Sequence, residues 1–595
     1  MIKIQSDRFE IDLSTYGVVL KEKSNIFSDN SFNNYSLPFV LDADSELLEK
    51  LGIPTIANIS NLEMKIKCRL VLDAIHFPAF LFLGDIIGSK IECTITYGEE
   101  QQDLYNTELK DLPWPKVIAL QLHEHAKQTS IKSWPATAYN FPMLYSPAIK
   151  EESEYSLFED FVNNHNGTTY LQNEIDATGA DPVYINRNVM APMPYLLEIL
   201  RFGYETVGKK TFGKLFEDPV LQKAVFIPEN YLEKFKSTEY QKYSFSTPDT
   251  TEIVFDRLVY GVYEKKFIPT TIGTYELTYD FNLDPVLASY FEFNIFKEDA
   301  LSQERTLLNR YLSEDNRVRI SEKFTVNVES VDQFNPIVVQ LLLRHTNNSI
   351  AAFNSLEYNF KGAKLNEFPS LFSLANFMPE LTFGEYENLL KNWLNLDIDV
   401  QNRYVEINFV QESVLKRKRQ DHTHLENVDP PKKFNSNRFY KLSYADGSKV
   451  LYDINGQLFS DQDEEGRDVI ELKMELQPAV VESNSDIITA VAPEKKSKLD
   501  FCVYDGLNTN GKPTASATLV RQLFLQSVFT DRWQVWINFR LNSKTFKDSF
   551  DCSVFENINI NELSIRYNEL HVIKTLDKKY ISEKVMHVEM ESETF

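Results

Sequence analysis

Alternation of apolar and polar residues, recurring from one end of the chain to the other, most limits what it can fold into. In KIKCRLVLDAI, Ile66, Cys68, Leu70 and Leu72 alternate with Lys65, Lys67, Arg69 and Asp73. A period of two is the mark of a half-buried strand. AFLFLGDIIGSKIECTITYG predicts two more strands, with turns at Gly84-Asp85 and Gly88-Ser89. IGTYELTYDFNLD and EKFTVNVESV alternate in the same way, so residues 250–362 predict a sandwich of ordinary size. FKDSFDCSVF, INELSIRYNELHVIKTLD and KYISEKVMHVEME return to strands near the end. Phe and Tyr, at 42 and 29, favour strands, and Gly is scarce at 19.

Helices interrupt this pattern in few places. A short one is expected near residues 44–51, capped by Asp42 or Asp44. The clearest covers residues 193–207, where Met193, Leu196, Leu197, Leu200 and Tyr204 form one stripe. Pro192 and Pro194 stand at its start and Gly208 at its end. A second helix is expected near residues 219–224. In MPELTFGEYENLLKNWLNLDIDV, Thr382 and Glu385 predict a capping box. The helix behind it buries Phe383, Tyr386, Leu390, Trp393 and Leu394, and the RYVEINFV strand follows. Four prolines break up residues 109–145, which hold one short helical stretch, and the next forty residues read as an irregular insertion. Residues 412–498 are charge-rich and predict long loops.

With 595 residues the chain suits three to five domains and needs no disulfide or metal to staple its core. Its net charge of −25, from 62 basic and 87 acidic residues, disfavours contact with a nucleic-acid backbone or an anionic lipid surface. No specific nucleic-acid binding is expected. Cys68, Cys93, Cys502 and Cys552 form no CxxC pair. Cys68 and Cys93 are placed on neighbouring strands, where either a bond or two buried thiols would fit. The start, MIKIQSDRFEIDLS, has no secretory pattern, and no run of 18 apolar residues occurs, so no membrane span is expected.

The motifs that imitate chemistry each fail at a necessary atom. In GLNTNGKP, Gly506, Gly511 and Lys512 have phosphate-loop spacing, but Pro513 stands where a hydroxyl must hold magnesium; a surface turn is the expectation. Asp461, Asp463, Glu465 and Gly466 begin a calcium-type loop. Its twelfth position is Leu472, with Glu471 one residue early, so a solvated acidic loop is expected. His123 and His125 sit on an expected helix, where their rings diverge, and His422 and His424 in a polar loop; surface histidines are expected. The basic run at residues 416–419 is expected to pair with acidic surface or face solvent. No GxSxG, HExxH or Cys–His signature is present. No metal, cofactor or catalytic residue is assigned, and the chain is expected not to be an enzyme.

Several stretches, in order, resemble the tail or baseplate hub proteins of tailed bacteriophages, which are related to the hubs of contractile injection systems. They are YSLPFVLDADSELLEKLG with the strands ending in ITYG, then SWPATAYNFPMLY, then NVMAPMPYLLEILRFGYETVG. NFMPELTFGEYENLLKNWLNLDIDV with RYVEINFV, and the closing INELSIRYNELHVIKTLDKKYISEKVMHVEMES, complete the series. The sandwich departs from a simple hub and resembles a small lectin-like insertion. The resemblance implies a homo-oligomeric ring, typically a trimer, in a virion tail assembled in the bacterial host cytoplasm. Each subunit would contribute two tube-type β-barrels, and the ring would join the tail tube or distal tail to a central spike or fibre. The alternative is a distal-tail or receptor-binding adaptor whose sandwich binds a host surface glycan. A cell-wall hydrolase is a third class, with no motif to support it.

The fold class expected is therefore mainly β with α+β parts, in several domains. Residues 1–160 form a first tube-type domain, 161–249 a helical and irregular segment, 250–364 the sandwich insertion, and 365–595 a second tube-type α+β domain ending in a β-hairpin. The residues expected to matter are packing anchors: Leu196, Leu200 and Tyr204 on one helix, and Tyr386, Leu390 and Trp393 on the other.

Overall fold

The computed structural model describes residues 2–27, 34–52, 64–72, 75–98, 102–151, 155–176, 183–232, 242–243, 249–254, 258–269, 273–282, 291–313, 319–329, 332, 334–344, 356–361, 368–459, 466–493, 497–582 and 584–594. The chain is mainly β, in several sheets and units.

The largest sheet, of 14 strands among the described residues, is built from both ends of the chain. Its seam pairs Val19–Lys23 antiparallel with Glu569–Tyr580, Leu20 opposite Lys578. On one side of the seam the order leads through Tyr35–Ser36, Lys90–Tyr97, Ile75–Ile87, Lys65–Leu72 and Ile2–Gln5 to the edge strand Glu10–Asp12. On the other it leads through Val585–Thr594 and Lys544–Ser553 to the edge strand Lys432–Phe434. The alternation in the sequence sets the two faces. Ile66, Cys68, Leu70, Leu81, Ile91 and Ile95 are buried in one cluster, and Lys67 and Arg69 between them are exposed.

No turn forms at Gly84-Asp85. Ile75–Ile87 is one strand, and a register shift between Leu83 and Ile86 absorbs the pair. The bulge keeps the ladder going, and Gly84 lies close under the Glu92 carbonyl. The turn at Gly88, with φ +65°, forms as expected. Asp44, not Asp42, caps Ser45–Lys50 by accepting the Leu47 N–H at 2.8 Å. All four cysteines are free, and the Ile75–Ile87 strand lies between those of Cys68 and Cys93.

A second and larger core crosses the divisions drawn on the sequence. It draws on Leu104 to Leu232 and on Phe372 to Val572, so residues 161–232 share one interior with the later helices and strands. The helix expected at residues 193–207 begins at Leu196. Met193–Pro194 instead pairs with Tyr139–Asn140, because Pro194 cannot donate and the extended backbone is used in a ladder. The helix expected near residues 219–224 is two short turns, Lys214–Glu217 and Leu221–Lys223. Asp218 separates them and accepts the Val220 and Leu221 N–H groups.

The charge-rich stretch read as long loops holds a four-stranded sheet of Arg438–Tyr444, Lys449–Asp453, Gly456–Leu458 and Asp468–Met474. Its lysines and glutamates hid the period of two. The stretch after residue 145 is irregular, as expected, yet Tyr155, Phe158, Val162 and Tyr170 are buried in the core. Buried asparagines supply what regular structure would have satisfied: Asn163 donates to the Pro142 and Ala191 carbonyls and accepts the Ala191 N–H at 2.8 Å.

The sandwich forms from two sheets and starts earlier than expected, at Lys242–Tyr243. Tyr263, Phe267, Tyr275, Leu277, Tyr279, Phe293 and Leu341 fill a core of its own. Residues 461–465 of the acidic loop lie outside the described residues. Among the described residues, no helix is long and apolar enough to cross a membrane.

Candidate functional site

The structure brings the six packing anchors into one interior. Leu196, Leu200 and Tyr204 are buried on Leu196–Thr206, and Tyr386, Leu390 and Trp393 on Phe383–Leu394. The capping box is complete: Glu385 N–H donates to Thr382 Oγ1 at 3.2 Å, and Thr382 N–H to the Glu385 carboxylate at 2.8 Å. The two helices meet through side chain and backbone. The Tyr386 hydroxyl donates to the Leu196 carbonyl at 2.7 Å, and the Tyr204 hydroxyl to the buried Glu387 carboxylate. Tyr105 stands 3.2 Å from the Tyr204 hydroxyl. Burial, then the Glu387 charge, holds both phenols well above the ordinary tyrosine range.

Gly203 makes this approach possible, because a Cβ there would overlap the Phe383 ring. Gly203→Ala is expected to cost about 1–3 kcal/mol by overpacking. Faster amide hydrogen exchange across both helices would report it.

Trp393 is the hub of the second helix. Its indole N–H donates to the Tyr444 hydroxyl at 2.7 Å, which donates to the Leu523 carbonyl at 2.9 Å. Its carbonyl accepts from the Trp533 indole at 3.1 Å, and its ring lies 5.0 Å from that of Phe501. One residue thus ties the helix to three later segments, two through its ring and one through its carbonyl.

A second cluster, missed in the sequence, lies inside the terminal strands. Arg566 and Asp548 form an ion pair at 2.6 Å with both side chains wholly buried. Arg566 also donates to Ser592 at 3.0 Å, and the Tyr567 hydroxyl to Asp548 at 2.6 Å. His571 Nδ1 lies 3.0 Å from Ser592 Oγ, and His422 Nδ1 lies 2.9 Å from Ser564 Oγ. Serine, histidine and carboxylate stand together here, each buried and engaged in an interior hydrogen bond or ion pair. A tight hairpin places these residues: Tyr567 and Asn568 both have positive φ, which folds Arg566 back toward His571.

The histidine pairs resolve individually. His123 and His125, on Leu122–Ser130, are half-buried and face the Leu171 carbonyl at 3.0 Å and the Tyr139 hydroxyl at 2.7 Å. His422 is buried, which corrects its reading as a surface histidine; His424 is exposed and 3.3 Å from Glu556. Lys418 pairs with Glu562 at 3.4 Å, whereas Arg417 departs from the expected surface pairing by turning inward to the buried Asp397 at 3.0 Å. GLNTNGKP is a turn closed on Asn508, which accepts the Asn510 and Lys512 N–H groups at 2.9 Å. Among the described residues, no group of three metal-ligating side chains gathers.

Two buried histidines make the fold sensitive to acid. Burial, aided by Arg566, pushes His571 down to about 4, and burial, aided by Lys127 and Lys512, does the same to His165. An unfolded histidine binds its proton near pH 6.5. Between these values the unfolded chain holds more protons than the folded one, so stability is full above about pH 6.5 and falls as pH drops toward 4. A denaturant midpoint markedly lower at pH 4.5 than at pH 7.5 is the expected result.

No protein-family model matches the chain, and no curated protein matches it. Among solved structures it is similar to the xylan-binding module CBM15, at 14% identity over 22% of this chain and 94% of that one, with a TM-score of 0.14. It is similar to the structure of infectious bursal disease virus, Gx strain, at 8% identity over 60% of this chain and 69% of that one, with a TM-score of 0.12. A weak similarity also links it to the 43 kDa tail protein of prophage MuSo2 from Shewanella oneidensis, at 11% identity over 56% of this chain and 97% of that one, with a TM-score of 0.16. At such TM-scores none of the three likenesses decides a function.

Proposed function

We propose that this chain is a structural protein of a phage tail, forming a hub ring of identical copies, a trimer, between the tail tube and a central spike or fibre. It works by shape and catalyses no reaction. The observation that carries this reading is the single sheet that welds residues 2–97 to residues 544–594, because it makes a broad rigid plate from both ends of the chain. The order of segments that resemble tail hubs supports it. The serine, histidine and carboxylate groups that could do chemistry are spent on holding that plate together. The test is the mass of the purified chain. A particle of three times 69.1 kDa, ring-shaped in electron images, is expected. A monomer at every concentration would overturn the ring.

A second reading, an adaptor that binds a host surface glycan through the sandwich, is favoured by one observation. Leu301 and Phe334 stand 97% and 57% exposed on loops at one end of the sandwich. Phe334 holds a φ of +71°, stabilised by its N–H donating to the Pro269 carbonyl at 2.9 Å. An aromatic ring displayed at such cost suits stacking on a sugar face. Glycan-array binding lost in Phe334→Ala would support this reading.

A further inference from the structure

Asparagine followed by glycine occurs three times in the chain, at Asn166-Gly167, Asn455-Gly456 and Asn510-Gly511. In such a pair the glycine nitrogen can attack the asparagine side chain, because no Cβ stands in the way. The reaction makes two demands. The attacking nitrogen must lose its proton, and the side-chain oxygen must carry negative charge while the new ring closes.

Both demands are met at Asn166-Gly167. Residues 166–169 form a short loop closed by the bridge between His165 and Tyr170. The Gly167 N–H donates to His165 Nδ1 at 3.0 Å, so an unprotonated ring nitrogen already holds the proton to be removed. The Asn166 side-chain oxygen accepts the Thr168 N–H at 2.9 Å and the Thr169 N–H at 3.0 Å, the placing an oxyanion needs. His165 is buried, and burial with the nearby Lys127 and Lys512 keeps its ring neutral at pH 7. That makes it a weak base, but one held on its proton, and position offsets strength. Asn166 is exposed, so ammonia can leave and water can enter. The loop is also held from behind. A Cβ on Gly167 would lie 2.7 Å from the Asn510 carbonyl oxygen, and one on Gly511 would lie 2.5 Å from the Gly167 carbonyl oxygen.

The other two pairs are held differently. The Gly511 N–H donates to the Asn508 carbonyl at 2.9 Å, and a carbonyl oxygen holds an amide proton without taking it. Gly456 pairs with Asp453 in a hairpin ladder.

We infer that Asn166-Gly167 is a self-modification site, at which the folded chain converts Asn166 to aspartate and isoaspartate with water as the only co-reactant. His165 Nδ1 takes the Gly167 amide proton as that nitrogen bonds to the Asn166 side-chain carbon. The bond from this carbon to the side-chain amide nitrogen then breaks. The proton passes to the departing nitrogen, and ammonia leaves a five-membered imide. Water opens the imide at either carbonyl, giving aspartate or an isoaspartate whose backbone runs through the former side chain. The step is a single event in each copy and does not depend on the ring. Its product adds a negative charge, and the isoaspartate adds one backbone carbon, where the loop interlocks with residues 510–511. The mark thus falls on a contact between two segments distant in sequence.

The experiment is peptide mass spectrometry of the full-length chain kept folded at neutral pH in water labelled with heavy oxygen. Uptake of label at each Asn-Gly pair gives its rate. Asn166 is expected to convert about 100-fold faster than Asn510 in the same folded chain, the low end of what a placed base supplies. In urea the three pairs should convert at similar rates, since the histidine is no longer held on the glycine. His165→Gln keeps a hydrogen-bond acceptor but no base, and should bring Asn166 down to the Asn510 rate. The urea comparison needs no substitution, so it stands even where that variant disturbs the loop. Equal rates at Asn166 and Asn510 in the folded chain would overturn the inference. So would an Asn166 rate in urea as high as in the folded chain, or an unchanged rate in a folded His165→Gln chain. Chain cleavage after Asn166 in place of ammonia loss would name the side-chain nitrogen as the attacking atom and overturn the step written here.

Discussion

Arg566→Met is expected to lower the stability of the terminal sheet by about 3–5 kcal/mol, the cost of leaving a buried partner unpaired. Asp548 would keep the Tyr567 hydroxyl at 2.6 Å but lose the countercharge of a wholly buried ion pair. Ser592 would also lose a donor at 3.0 Å. Removing both charges tells a different story. Arg566→Met with Asp548→Asn should recover most of the loss, because well-packed neutral groups often replace a buried ion pair at little cost. Amide hydrogen exchange along Lys544–Ser553 and Val585–Thr594 would measure both. Equal losses in the single and double variants would show that packing, rather than the stranded charge, dominates.

Trp393→Ala is expected to cost about 3–5 kcal/mol as well, by a different route. The indole fills a site among Tyr444, Phe501 and Trp533, and its removal leaves a cavity that three segments would have to collapse into. The Trp533 bond survives, since it is made to the backbone carbonyl of residue 393. Trp393→Phe should lose less, because most of the volume stays and Tyr444 can still donate to Leu523. A thermal unfolding shift within noise for Trp393→Ala would contradict this picture.

Regular elements were legible where one side of the strand or helix is wet. The alternation around Cys68, the sandwich and the capped helix from Phe383 were readable because solvent-facing charges mark the period. Legibility failed where that contrast was lost. In Arg438–Tyr444 most positions are buried, and the surrounding lysines and acids read as loop. At Gly84-Asp85 a turn dipeptide was used as a bulge, a choice settled by the pairing of Leu83 with Cys93 and Ile86 with Ile91. The irregular stretch after residue 145 depends on Asn163 and Asn188, whose role is set by carbonyls distant in sequence. The packing anchors on the two helices followed from helical spacing. The polar interior of Arg566, Asp548, His571 and Ser592 did not, since it gathers four strands whose register no local pattern specifies.

The seam between Val19–Lys23 and Glu569–Tyr580 brings Glu22 within 3.0 Å of Lys578, across 556 positions. During synthesis the opening strands leave the ribosome long before their partner exists. At about 5–20 residues per second they wait on the order of a minute with an unsealed margin. A contact of such sequence span is slow to find. Late closure therefore acts as a maturation checkpoint: a prematurely terminated polypeptide cannot finish the sheet, because its last strands are the ones that seal the first.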